Sequence, residues 1–173
     1  LNGGRYGVST NDLEGEIGLF AGLILHIIQG LMLWSQNNKA RPVQYHFNQP
    51  SKNSKWYSRS MGILGTLLLL FIIMHLNHFY VGTKMELYGG VKAEHSLFEE
   101  MKVVFAEPIV VVLYIAGLVA LFWHLFHGFQ SAFQSMGWNH PSYTPLIKKV
   151  GMAFSIIVPA AFAIIPVWMF ING

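Results

Sequence analysis

Leu121-Phe122-Trp123-His124-Leu125-Phe126-His127-Gly128-Phe129-Gln130-Ser131 closes an apolar run that begins near Ile109. Two histidines sit about one helical turn apart in a segment otherwise suited to lipid. An imidazole in hydrocarbon is costly, so an ionisable residue at that depth marks a functional site by default. The rest of the chain reads as a scaffold that brings other buried histidines towards this pair.

Composition supports a membrane setting. Of 173 residues, 53% are hydrophobic and 11% charged, against about 25% charged in a soluble domain. The fold class expected is an all-α integral membrane protein, a transmembrane helix bundle forming a single domain over residues 1–173. No cysteine is present, which excludes disulfides, Fe–S ligation and thiolate-bound haem within this chain. The eight histidines are then the main candidate metal ligands. The net charge of +3 is small and sits in loops, so it reads as topology and excludes a nucleic-acid partner.

Three further apolar runs match the first in length. Spans are expected at about Ile17–Trp34, Met61–Val81, Pro108–Phe129 and Val150–Ile171, each near the ~20 residues that cross a bilayer. Asn11-Asp12 offers an N-cap for the first, and Pro108 suits the opening turn of the third. Pro159 and Pro166 are expected to kink the fourth, as membrane helices tolerate. Residues 36–60 carry Lys39, Arg41, Lys52, Lys55 and Arg59 without an acid, and residues 135–149 carry Lys148 and Lys149 without one. Residues 82–107 mix three lysines with five glutamates. The positive-inside rule places the two acid-free loops in the cytoplasm and the mixed loop outside. Both ends of this sequence then lie outside, and one more span before Leu1 is expected.

Depth sorts the histidines. His46, His95 and His140 fall in loops; His26, His75, His78, His124 and His127 fall in spans. The first and third spans run inward, which brings His26 and His124 to a shared level on the cytoplasmic side. His75 lies nearer the outside, with no span histidine opposite it. Two imidazoles from facing helices at one depth are what a bis-histidine haem b needs: axial nitrogens for a low-spin, electron-transferring iron. A flat macrocycle needs small residues beside its ligands, and Gly30 and Gly128 each come four residues after a histidine on the same helix face. A lone transmembrane histidine is often only an interhelical hydrogen-bonding residue. That role is favoured for His78 and His127, whose partners could be propionates or a quinone.

A resemblance enters at these residues. His124, Gly128, Ser131 and Gly137 fit H-x3-G-x2-S-x5-G, which resembles the fourth-helix signature of the dihaem cytochrome b subunit of succinate:quinone and quinol:fumarate oxidoreductases. The nearest type is the single-anchor cytochrome b558 of Bacteroidetes-like bacteria. His26 to Gly30 with the exit Gln36 to Pro42 is similar to the family's second helix, and Ile72 to Leu76 to its third. The resemblance implies five spans, four of them here, with a first family helix ahead of Leu1. It implies one haem ligated by His26 and His124. A second would take His75 and a ligand from that first helix.

It further implies a flavoprotein and an iron–sulfur protein as partners, menaquinone as the substrate quinone, membrane lipid around the chain, a homodimer of complexes and the bacterial cytoplasmic membrane. Dicarboxylate chemistry belongs to the partner, so no catalytic residue is assigned here. Some relatives carry a glutamate two residues before the fourth-helix ligand for proton movement; Phe122 stands there instead. Arg41, Arg59, Ser131, Ser135 and Trp138 are candidates to hold haem propionates. Three rival readings remain. A histidine-box di-iron oxygenase would need its histidines on one face. A cytochrome b subunit of a hydrogenase or formate dehydrogenase would lack the Gly/Ser/Gly spacing after His124. A non-catalytic anchor would hold no haem.

Overall fold

The computed structural model describes residues 10–40, 52, 54–89 and 96–173. Every regular element among them is helical. The protein is an all-α membrane helix bundle, with four helices long and apolar enough to cross a membrane: Leu13–Lys39, Met61–Met85, Pro108–Ser135 and Thr144–Asn172. It is a multi-pass membrane protein. Arg41, His46 and His95 lie outside the described residues.

The chain divides into two compact units, Leu1–Asn48 and Gln49–Gly173. The described part of the first is one helix, α1 (Thr10–Lys39). At 1.5 Å per residue it is about 45 Å long, enough to pass the ~30 Å hydrocarbon layer at both ends. It begins at Thr10, so Asn11 and Asp12 fall within its first turn instead of capping it.

In the second unit a short helix α2 (Trp56–Arg59) leads into α3 (Met61–His75). A π-helical turn, Leu76–Tyr80, joins α3 to α4 (Val81–Gly89) without a break. The loop expected next holds its own helix, α5 (Leu97–Phe105). Its start is a capping box: Glu99 N–H donates to Ser96 Oγ at 3.3 Å, and Ser96 N–H donates to the Glu99 carboxylate at 2.7 Å. Two orphan amides are satisfied reciprocally.

The long helices α6 (Pro108–Ser135) and α7 (Thr144–Asn172) form the main packed pair, and α3 lies against α6. Pro108 occupies the first turn of α6. Helix α7 continues through Pro159 and Pro166, both buried. Ser155, fully buried and four residues before Pro159, donates its hydroxyl to the Met152 carbonyl at 2.9 Å. Two glycines set the close approaches. A Cβ on Gly117 would collide with the Phe71 ring of α3, and one on Gly151 would stand 2.6 Å from Cδ1 of Phe129. The core has two centres along α6. One gathers Phe105, Val111, Tyr114 and Met169; the other gathers Leu64, Leu68 and Ala120.

Helix α6 ends in a Schellman motif. The Trp138 amide donates to the Phe133 carbonyl at 2.9 Å, and the Gly137 amide to the Gln134 carbonyl at 3.1 Å. Gly137 has φ +77°, a left-handed conformation that glycine adopts without penalty. The last glycine of the H-x3-G-x2-S-x5-G pattern therefore has a backbone reason: it stops the helix that carries His124.

Candidate functional site

The antiparallel packing of α3 and α6 separates the histidines of the second unit into two sites. His124 and His127, late on α6, meet the start of α3 and the α2 segment. His75 and His78, at the end of α3 and in the π turn, meet the early part of α6.

At the first site His124 is half-buried, with its Nδ1 inside the protein. Its ring lies over Gly65 of α3, whose Cβ, if it had one, would stand 4.0 Å from His124 Cε1. One turn on, a Cβ at Gly128 would meet nothing within 4 Å. His127 turns towards α2, and its Nε2 is 3.5 Å from Ser58 Oγ. Tyr57 stacks on Trp123 at 5.5 Å and 21°, and meets Phe126 edge-on at 5.4 Å. Trp56 meets Trp123 at 4.8 Å. These rings fasten α2 to α6 with the amphipathic aromatics that favour a membrane–water interface. Arg59 is exposed and donates to the Ser54 carbonyl. Ser131 is half-buried, and its carbonyl accepts from Ser135 Oγ at 3.0 Å. Trp138 is exposed, its ring 5.7 Å from that of Phe133.

The second site is built around Tyr114, which is only 4% exposed. Its hydroxyl lies 3.1 Å from His78 Nδ1, and the two rings are nearly parallel at 8°. Phe71 and Phe105 meet the phenol edge-on, at 5.2 and 5.0 Å. His75 is exposed, lies over Phe71 at 6.0 Å and approaches Tyr114 at 6.1 Å. Lys84, nearby, stands 5.4 Å over the Tyr80 ring.

His26 and Gly30 belong to the first unit. Both are exposed on α1, and a Cβ at Gly30 would meet nothing within 4 Å. Gly30 and Gly128 thus share the same local property: open space one turn after a histidine. Among the described residues no group of three or more His, Cys, Asp or Glu side chains is arranged to hold a metal ion. A bis-histidine haem needs two imidazoles from separate helices and room for a ring; within the second unit His124 supplies one such imidazole and Gly128 open space beside it. Sequence reasoning missed Tyr114, Tyr57 and the α5 helix. Tyr114 is a phenol inside an apolar span and α5 opens on the Ser96-x-x-Glu99 box, which were the available signals; Tyr57, in a basic loop, carried none.

A family model described as the succinate dehydrogenase/fumarate reductase transmembrane subunit matches residues 37–164. The chain belongs to this family. It is a membrane-anchor subunit of an oxidoreductase complex, and the match spans His75, His78, Tyr114, His124, Gly128, Ser131 and Gly137. His26 and Gly30 precede the matched residues. No curated protein and no solved structure matches the chain.

Proposed function

We propose that this anchor subunit is a cytochrome b, of the dihaem type that the H-x3-G-x2-S-x5-G signature resembles. His26 and His124 supply the axial nitrogens of one haem b. His75 supplies one ligand of a second, whose other ligand the resemblance assigns to the first family helix. Bound haem b supplies a one-electron carrier between an iron–sulfur partner and membrane quinone, with menaquinone as the quinone.

The observation that carries this reading is the arrangement on α6. His124 sits half-buried over Gly65, Gly128 opens space one turn on, and Gly137 ends the helix where the signature places a glycine. Small residues let a flat macrocycle approach the helix, and lipid-facing apolar side chains keep water from it. Arg59, Ser131 and Trp138 supply the cationic and hydrogen-bonding groups that haem propionates need. His127 and His78 hold the neighbouring structure through Ser58 and Tyr114. The basic segment around Lys55 and Arg59 offers a surface to the iron–sulfur subunit, which docks with the flavoprotein in the cytoplasm. The chain itself carries no dicarboxylate chemistry.

The test is a reduced-minus-oxidised visible spectrum with a haem count per chain, on the intact complex. Two b haems are the expected result. One would confine haem to the His26/His124 pair. None, in a folded complex, would leave a non-catalytic anchor and overturn the reading.

A further inference from the structure

We propose that His78 and Tyr114 form a positioning pair that fixes the imidazole of His75. The proposal rests on the reading of His75 as a haem ligand. It starts from the π turn, Leu76–Tyr80, wedged into an otherwise continuous helix from Met61 to Gly89. Such a turn accommodates an extra residue and rotates the helix on its C-terminal side relative to the helix before it, and it recurs at functional sites. His75 is the residue on which the turn begins, and His78 is at its centre. The direction in which His75 projects is therefore tied to whatever holds the turn open.

Tyr114 is placed to do that. A phenol buried to this degree needs a partner for its hydroxyl, because leaving it unsatisfied is costly. The partner is Nδ1 of His78, at 3.1 Å. The same phenol ring contacts the His75 ring at 6.1 Å and is wedged edge-on between Phe71 and Phe105. One side chain of α6 thus grips the π turn by a hydrogen bond and touches the ligand imidazole with its ring. Outer partners of this kind orient ligating histidines and tune the metal they bind. The hydrogen bond supplies direction that apolar packing lacks, since a Phe ring can fill the same volume at several rotations of the neighbouring turn.

The experiment uses Tyr114→Phe, which keeps the ring and removes one oxygen, and His78→Gln, in the intact complex. The readout is the low-spin EPR signal and midpoint potential of each haem, because both respond to imidazole orientation. In Tyr114→Phe the signal and potential of one haem should move while the other haem keeps both. His78→Gln should move the same haem, and the double variant should move it no further than the larger single effect. Unaltered haems in Tyr114→Phe would overturn the proposal, as would equal changes in both haems, which indicate general loosening. The unsubstituted complex serves as the separate check: a single haem there would remove the ligand role of His75 itself, and this proposal with it.

Discussion

The two histidine sites of the α3–α6 pair are built to opposite specifications. Around Tyr114 the protein is tight: a buried phenol, a hydrogen bond to His78, and two phenylalanine rings edge-on to the phenol. Around His124 it is roomy: a glycine under the ring, another with open space one turn on, and interfacial aromatics gathered where α2 meets α6. The same spacing, H-x2-H in both places, thus sets His78 against a buried phenol at one end and lays His124 over a glycine at the other. Identical sequence motifs on two helices do not imply equal environments, because each helix face sees only what its partner helix supplies.

The largest effects should separate the two sites by ligand loss. His124→Ala is expected to remove one b haem from the complex and leave the other, and His26→Ala to do the same to the same haem. His75→Ala should remove only the second. Visible difference spectra of each variant, normalised to the anchor subunit, check this. Full haem content in both His26→Ala and His124→Ala would break the assignment of these two histidines as ligands.

The legible part of the sequence was the part dictated by solvent. Four runs of apolar residues near bilayer length became four helices of that kind, because in lipid every backbone group must be satisfied within its own segment. The ends were less legible. Each helix extends past its apolar run: Lys39, Met85 and Ser135 all lie beyond the expected limits. Helix α5 was missed because nine residues between charged flanks look like a loop when only hydrophobic length is counted; its capping box was the better signal. At the sites, the histidines announced themselves by being costly in lipid. Tyr114 did not, since a tyrosine in a span is ordinary until a second helix places His78 against its hydroxyl. The π turn was equally hidden: Leu76–Tyr80 holds no Pro or Gly, and its geometry is a product of packing.

Next in size are the glycines that let the helices meet. Gly117→Leu would drive a side chain into Phe71, which packs on both Tyr114 and His75. Gly151→Leu would drive one into Phe129, next to Gly128. Overpacking of this kind costs about 1–3 kcal/mol. Detergent thermal melts of the complex should show both losses. If the comparison of the two ends holds, the Gly117 variant should also disturb the ring contacts of Tyr114, seen as altered tyrosine fluorescence, whereas the Gly151 variant should not. Smaller again is Gly137→Ala. A methyl group at φ +77° costs roughly 1–2 kcal/mol in the left-handed region. The expected result is fraying of the last turn of α6, measured as faster amide exchange from Gln134 to Trp138, without change at the Tyr114 end.

The smallest effect tests whether the tight end depends on the helix that closes it. Ser96→Ala removes the acceptor for the Glu99 amide and one half of the capping box, a loss of about 1 kcal/mol. Ser96 is exposed, so the direct cost is confined to the first turn of α5. The consequence need not be. Phe105, 3% exposed at the other end of the same short helix, packs edge-on against Tyr114 and lies 5.7 Å from Phe79 in the π turn. A helix of nine residues has little stability of its own and relies on its caps and its docking. Loosening the cap should therefore raise amide exchange along the whole of α5, and to a lesser degree across Leu76–Tyr80. Exchange that rises in α5 alone would mean that Phe105 stays docked without its helix start. The tight end would then be held by Tyr114 and His78 and not by the helix above them.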